Sequence, residues 1–333
     1  MTVSRGIFLA LNARNIPRLF FSMMKESDLM KKRVYGFSLL ALGFMLLSLI
    51  LAACQSSTAT STVDCLTALT RTGATAIPVA CRKRLLVFSK TAAYRHASIP
   101  AGKIALQDLA AQHGFAIDFS EDSNVFTTSN LAHYDAVIFL MTTGEIFDTS
   151  QEAAFRQYIE SGGGFVGIHS ASDTMYSWPW YGGLVGSFNN VFNKHSSIQP
   201  AVLHVEDPNT PSTAMLPSFW RRTDEWYNFA NNPRHAVHVL LTVDERTYTG
   251  GIMGPDHPIS WYQAYDGGRS WYTAMGHTVE TYSEPLFRAY LWGGILYAVG
   301  LWPHSVATTG QLKVKRYLVL IKPLNVADTR HIV

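Results

Sequence analysis

Short apolar runs alternate with amphipathic stretches over the first half of the chain's globular part. The apolar runs are Leu85–Phe88, Ala136–Met141 and Phe165–Ile168, and Phe115–Phe119, which includes Asp118, is a further predicted strand. Runs of this length that are apolar throughout are typical of parallel strands covered on both faces. Apolar residues at helical spacing lie between several of them, so the pattern predicts a βαββαβ order and a mostly parallel sheet.

Two predicted helices have recognisable ends. Ser98 is a good N-cap, and Pro100 follows in the first turn, where its missing N–H costs nothing. Thr149 and Glu152 fit a capping box at the start of the second helix. Three consecutive glycines, 162–164, end that helix.

The second half of the chain has a less regular pattern. We predict strands at Ala201–Val205, His238–Val243, Ile259–Tyr265 and Ser270–Met275. The last two form a hairpin around Asp266–Gly268. A closing helix is predicted over Pro285–Val299.

The N-terminal residues 1–53 have the pattern of a signal peptide. A basic segment, Met30–Arg33, precedes an apolar segment, Gly36–Ala53, and Leu51–Cys54 resembles a bacterial lipobox. We therefore expect Met30 to be the true start and Cys54 to be lipidated, in an exported lipoprotein anchored to the cell membrane. The alternative is an uncleaved signal anchor, because 18 apolar residues are near the lower limit for a span.

Residues 54–83 are rich in Ser and Thr and are predicted to be a tether. In an exported protein, Cys65 and Cys81 either form a disulfide or stay as two free thiols. The predicted domain covers residues 84–300, and residues 301–333 form a C-terminal extension.

Composition and charge exclude one class of partner. The chain is 47% hydrophobic and 12% aromatic, which suits a large core, and its formal net charge is +3. Residues 1–53 contain seven basic and two acidic residues, so the rest has 20 and 22 and a net charge of −2. No basic patch with interleaved aromatic residues is present, and nucleic acid is not a predicted partner.

Polar and aromatic residues cluster after predicted strands. Ligands of open α/β sheets bind beyond the carboxyl ends of the strands. In this chain, polar and aromatic residues follow the first and fourth predicted strands. The clusters are Tyr94–His96, His169–Asp173, the loop around His195, Asp224–Tyr227, His257–Trp261 and Arg269–His277.

Together these motifs resemble the ThuA-like, trehalose-utilisation family, over about Arg84 to Gly300. The matching segments, in order, are Tyr94–Pro100, Gly167–Asp173, Asp224–Tyr227, Asp256–Trp261 and Gly268–His277. The resemblance implies an α/β fold of the class I glutamine amidotransferase type, a flavodoxin-like three-layer α/β/α sandwich. It also implies a link to sugar metabolism, often through 3-keto forms of disaccharides such as trehalose.

Amidotransferase chemistry itself is not predicted, because no cysteine follows Cys81 to serve as the nucleophile. A Ser-His-Asp hydrolase would use Ser170 at the sharp turn, assisted by His277. The G-x-S-x-G pattern of that class is missing around Ser170.

We predict acid/base chemistry next to a sugar carbonyl. The candidate catalytic residues are His169 and Glu225, as base and acid, and His277, which would stabilise an oxyanion with Arg269. The candidate substrate-binding residues are His96, Asp173, His195, Trp261 and Arg269. Several of them also have a structural interpretation: a backbone cap for His169, a turn cap for Asp173, an ion pair for Arg269 and core packing for Trp261.

No metal ligand is predicted from spacing, because no compact signature such as HExxH is present. His96, His169, His195, His277 and Glu225 offer zinc-type ligand atoms, so zinc is the candidate cofactor should they converge.

Whether the protein is an enzyme stays open. The leading hypothesis is a lipoprotein that acts on a sugar or 3-keto sugar, as an isomerase, lyase or hydrolase. The alternative is a non-catalytic carbohydrate-binding lipoprotein that serves a sugar transporter or dehydrogenase. A third hypothesis is a scaffold retained for protein contacts, which predicts no small ligand.

Overall fold

A computed structural model describes residues 82–302, which contain one nine-stranded mixed sheet with helices. The strands are Arg84–Phe88 (β1), Ala116–Ser120 (β2), Ala136–Leu140 (β3), Gly164–Ile168 (β4), His195–Val205 (β5), Phe219–Tyr227 (β6), His238–Val243 (β7), Pro258–Tyr265 (β8) and Gly268–Thr273 (β9). The helices are Ile99–His113 (α1), Thr128–Leu131 (α2), Thr149–Glu160 (α3), Pro179–Val185 (α4) and Pro285–Ala298 (α5).

The sheet has the order β2-β1-β3-β4-β9-β8-β7-β5-β6. The strands from β2 to β9 pair in parallel, and those from β9 to β6 pair antiparallel. The predicted parallel sheet is therefore only about half of the observed one, and the predicted β8–β9 hairpin joins the two halves.

Helices cover both faces of β3, the middle strand of the parallel half. Phe139 stacks on Phe155 of α3, with ring centroids 5.3 Å apart. Its neighbour Leu140 points to the other face and contacts Gly102 of α1. Burial of all five β3 side chains explains why this run contains no polar residue.

The sequence-based prediction missed β6, and it shortened β5, which begins at His195 and not at Ala201. β6 carries four charged residues and alternates exposed with buried positions only in its first half. β5 contains Pro200, which pairs with Thr223 of β6 at a point where β7 does not reach β5. A proline is tolerated there because its missing N–H interrupts no ladder on that side.

Two predicted helix caps differ from the structure. The capping box of α3 is formed by Asp148 and Gln151, one residue before the predicted pair. Ser98 occupies the N-cap of α1 but makes no side-chain cap. Its hydroxyl donates instead to the carbonyl oxygen of His277, 2.7 Å away.

The predicted leader, Cys54, Cys65, Cys81 and residues 303–333 lie outside the described residues. Between residues 82 and 302, no helix is both long and apolar enough to cross a membrane.

Candidate functional site

Four side chains that are far apart in the sequence meet at the carboxyl edge of the parallel strands. Their ligand-type atoms all lie within 4.8 Å of one another. We call this group the histidine cluster; its members are His96, His169, Glu225 and His277.

His169 lies at the centre of the histidine cluster and is completely buried. It is the first residue after β4, and its backbone φ of +54° bends the chain sharply there. Its Nε2 lies 3.1 Å from His96 Nε2 and 3.1 Å from His277 Nδ1. Its Nδ1 lies 2.7 Å from the carbonyl oxygen of Ala274. A carbonyl only accepts, so Nδ1 carries the hydrogen, and in the neutral form of the ring the Nε2 lone pair points into the cluster.

Glu225 on β6 joins two of the histidines to a third outside the cluster. Its Oε2 lies 3.0 Å from His277 Nδ1 and 3.5 Å from His169 Nε2. Its Oε1 lies 3.0 Å from His195 Nδ1. The His195 side chain is 43% exposed, against 9% for Glu225. His195 therefore marks the side on which the site opens to solvent.

Burial and contacts shift the protonation equilibria of the site. Burial, helped by the neighbouring imidazoles, lowers the pKa of His96 to about 2, so this ring is neutral at neutral pH. Burial opposes ionisation of Glu225, but hydrogen bonds from the surrounding imidazoles lower its pKa below the ordinary range. The hydrogen bond to Glu225 raises the pKa of His195. The site thus combines a carboxylate with neutral, lone-pair-bearing nitrogen.

Asp224, the neighbour of Glu225, holds the loop that carries His277. It points to the opposite side of β6 and is fully buried. Its carboxylate accepts hydrogen bonds from the backbone N–H groups of Gly276 and His277, both at 3.0 Å. Arg222, also buried, lies 3.3 Å from it. This pair fixes the backbone from which His277 reaches the cluster.

Tyr227 was not among the predicted site residues, yet its hydroxyl lies 3.1 Å from His169 Nε2. It follows Glu225 by two positions on a strand, so both side chains project from the same face of the sheet. That spacing was visible in the sequence, and it would have identified Tyr227 once β6 was recognised as a strand.

The structure brings together five of the predicted site residues and separates three others. His195 and the four members of the histidine cluster form one site. Asp173 accepts instead from Lys194 Nζ and Tyr176 Oη, both at 2.6 Å.

Arg269 and Trp261 lie in structural positions. Arg269 donates to the carbonyl oxygens of Ala298 and Gly162, at the amino-terminal end of β9. Trp261 is completely buried, and its indole N–H donates to Val185 O. Ser170, the serine of the hydrolase alternative, is also buried, with its hydroxyl 3.4 Å from His96 Nδ1.

A groove of about 500 Å³ opens beside His277. Its lining includes Tyr94, Ile198 and Val279, whose side chains are all about half exposed or more. Another cavity, of about 550 Å³, lies near His204 and does not include any member of the histidine cluster. The groove beside His277 is therefore one approach to the histidine cluster, and the exposed side of His195, which does not line this groove, is another.

Fold and site together define an α/β protein with a histidine-rich centre at the carboxyl edge of its parallel strands. The family model for ThuA, described as trehalose utilisation, matches residues 84–298, so this chain belongs to the ThuA family.

Solved structures agree with this fold. A putative ThuA-like protein from Bacteroides uniformis ATCC 8492 is 24% identical, with a TM-score of 0.57 over 68% of this chain and 93% of that one. A second, from Parabacteroides merdae ATCC 43184, is 20% identical, with a TM-score of 0.56 over 66% and 90%. None of the curated proteins compared with this chain matches it.

Proposed function

We propose that this protein acts on a sugar that carries a carbonyl group, by moving protons at the carbons next to it. The observation that carries the proposal is the convergence of the histidine cluster, His195 and Tyr227 beside an open groove. The trehalose-utilisation description of the family supports a sugar as the substrate class. The flavodoxin-like three-layer arrangement is part of this proposal, supported by helices on both faces of β3.

The proposed reaction is an enolisation. A base removes a proton from a carbon beside the carbonyl, and the electron pair of that C–H bond moves toward the carbonyl oxygen. A donor stabilises this oxygen while the proton returns to carbon, so no oxidant or reductant is consumed. The same enolate can instead expel a leaving group from the next carbon, which would make the protein a lyase.

Burial suggests how the roles are divided. The sequence-based prediction made His169 the base, but His169 is completely buried. His195 is more exposed and is bonded to Glu225, so this pair is better placed to reach a substrate proton. His277, which is 18% exposed and borders the groove, supplies the donor for the developing oxyanion, and the buried Tyr227 hydroxyl contacts His169 behind it. We further propose that the protein is an exported, membrane-anchored lipoprotein, supported by the lipobox-like segment Leu51–Cys54.

Hydrogen exchange tests the proposal directly. The full chain is incubated in D₂O with trehalose-type disaccharides and their 3-keto forms, and deuterium at the carbons beside the carbonyl is measured by NMR. We expect exchange with a keto sugar only. His195→Gln and Glu225→Gln should slow it about 100-fold or more, the usual contribution of acid/base catalysis.

The matched control is His133→Gln, which changes an exposed histidine far from the site and should leave exchange unchanged. Saturable sugar binding without exchange would support the carbohydrate-binding alternative. Neither binding nor exchange with any of these sugars would overturn the proposed function.

A further inference from the structure

We propose that the histidine cluster binds one divalent metal ion, and that zinc is the ion its geometry suits best. This inference stands without the proposed function, because it rests on the arrangement of ligand atoms and can be tested without a sugar. Four separate structural observations support it: distances, hydrogen positions, supporting contacts and accessibility.

Four of the six distances between ligand atoms are close to those around a tetrahedral ion. Neighbouring atoms of His169, His277, His96 and Glu225 are 3.0–3.5 Å apart. Zinc bonds of about 2.0–2.2 Å to nitrogen and oxygen place tetrahedral ligands about 3.3–3.6 Å apart. The separations of His96 from His277 and from Glu225 are at most 4.8 Å, so an ion at the centre of the cluster would need His96 to move inward by up to about 1 Å.

Hydrogen bonds within the cluster cannot satisfy all of its members at once. The single lone pair of His169 Nε2 is surrounded by His96 Nε2, His277 Nδ1 and the Tyr227 hydroxyl, each 3.1 Å away. One lone pair accepts one good hydrogen bond. His277 Nδ1 can donate to Glu225 Oε2 instead, at 3.0 Å, so His96 and Tyr227 compete for His169 Nε2. A metal ion would accept lone pairs from all three rings and from the carboxylate together.

Supporting contacts hold the rings with the required nitrogens directed inward. Metal-binding histidines usually bond through their other nitrogen to a carbonyl, carboxylate or hydroxyl group. His169 does so with Ala274 O at 2.7 Å. His96 Nδ1 lies 3.4 Å from the Ser170 hydroxyl. The outer carboxylate oxygen of Glu225 contacts His195.

The site is enclosed by protein but can be reached from solvent. The His169 side chain is fully covered, whereas that of His277 is 18% exposed and borders the groove. Three imidazole nitrogens and one carboxylate oxygen suit zinc and neighbouring divalent transition metals, and do not suit magnesium or calcium.

With the proposed function, the ion would act as a Lewis acid on the sugar carbonyl, while His195 stays outside the ligand set.

The test measures metal binding in the absence of sugar. The full chain is stripped with a chelator and titrated with Zn²⁺ by calorimetry, and bound metal is counted by elemental analysis. Because thiolates also bind zinc, the titrations use a background of Cys54→Ser, Cys65→Ser and Cys81→Ser. We expect one ion per chain. When cobalt replaces zinc, we expect the visible absorption of a cobalt ion bound by nitrogen and oxygen ligands. Manganese and iron, titrated in parallel, should bind more weakly than zinc.

Two ligand substitutions and two controls make the test specific. Glu225→Gln and His277→Gln should each weaken zinc binding about 100-fold or more, since even supporting contacts are worth 10–100-fold. His133→Gln should have no effect, and His195→Gln should weaken binding by much less than a ligand substitution.

The proposal is overturned if Glu225→Gln and His277→Gln fold normally by circular dichroism yet bind zinc as tightly as the parent. It is equally overturned if the cysteine-free parent shows no cobalt absorption, a result that does not depend on any variant folding. Zinc binding without deuterium exchange would retain the metal site and remove the proposed function.

Discussion

At the scale of single residues, backbone strain and the histidine cluster coincide. His169 has a φ of +54°, in a region that residues with a side chain rarely adopt. Its carbonyl accepts from the Tyr272 hydroxyl at 2.9 Å, and its ring donates to Ala274, so both ends of the residue are held. Strain of this kind persists where surrounding contacts over-determine it, which is common at functional sites.

A second residue-scale feature anchors the loop that carries His96. Arg95 makes two hydrogen bonds of 3.0 Å to the carboxylate of Glu121, which also accepts from Lys103. The bond from Arg95 is the main cause that lowers the pKa of Glu121 from 4.5 to about 2. The pair is partly exposed, so its contribution is at most about 1 kcal/mol.

This pair predicts a pH-dependent stability. A lowered pKa in the folded state means that the contribution of Glu121 is complete above pH 4.5 and is lost as the pH falls toward 2. We expect Glu121→Gln to be less stable than wild type at pH 7, and the difference to shrink below pH 4.5. Urea unfolding at pH 7, 4 and 3 measures this. A difference that stays constant over that range would contradict the assignment.

At the scale of elements, short-range signals in the sequence located most helices and parallel strands. They failed to predict a strand whose side chains have long-range partners. The α3 helix was predicted within two residues of its observed ends, because cap and glycines are local features. β6 was not predicted, because its charged residues are buried by partners elsewhere: Asp224 by the His277 loop and Glu225 by histidines.

The α3 cap gives an element-scale prediction. The Asp148 side chain accepts from the backbone N–H groups of Ser150 and Gln151, and the Asp148 backbone N–H donates to Gln151 Oε1. Asp148→Ala should reduce the free energy of unfolding by about 1 kcal/mol, the usual value of an N-cap. Thr149→Ala, at the exposed neighbouring position, is the control and should cost less. Equal losses in denaturant unfolding would show that Asp148 does not act as the cap.

At the scale of the whole molecule, the histidine cluster ties together segments that are distant in the chain. His96 and His169 are 73 residues apart, and His169 and His277 are 108 apart. The first two follow the parallel strands β1 and β4, whereas Glu225 comes from the antiparallel half of the sheet. A ligand bound at the cluster therefore contacts both halves.

If the metal proposal holds, zinc should raise the thermal stability of the whole domain. An ion that binds only the folded state stabilises it by about 2.7 kcal/mol at 100 times its dissociation constant. We expect the melting temperature of the cysteine-free full chain to rise with added Zn²⁺ and to fall with a chelator. The rise should disappear in His277→Gln. An equal rise in that variant would mean that zinc stabilises the protein from another site.

The sequence by itself determined the family, the strands β1, β3 and β4, the helices around them and the residue types available for chemistry. These follow from local periodicity, caps and motif order, which do not depend on distant contacts. The three-layer sandwich, the lipoprotein anchor and the roles of individual residues stay predictions. Only the tertiary structure decided which candidates meet. His96, His195 and Glu225 joined His169 and His277, whereas Asp173, Trp261 and Arg269 found other partners. The physical reason is that sheet order, which no local pattern encodes, sets which strand ends become neighbours.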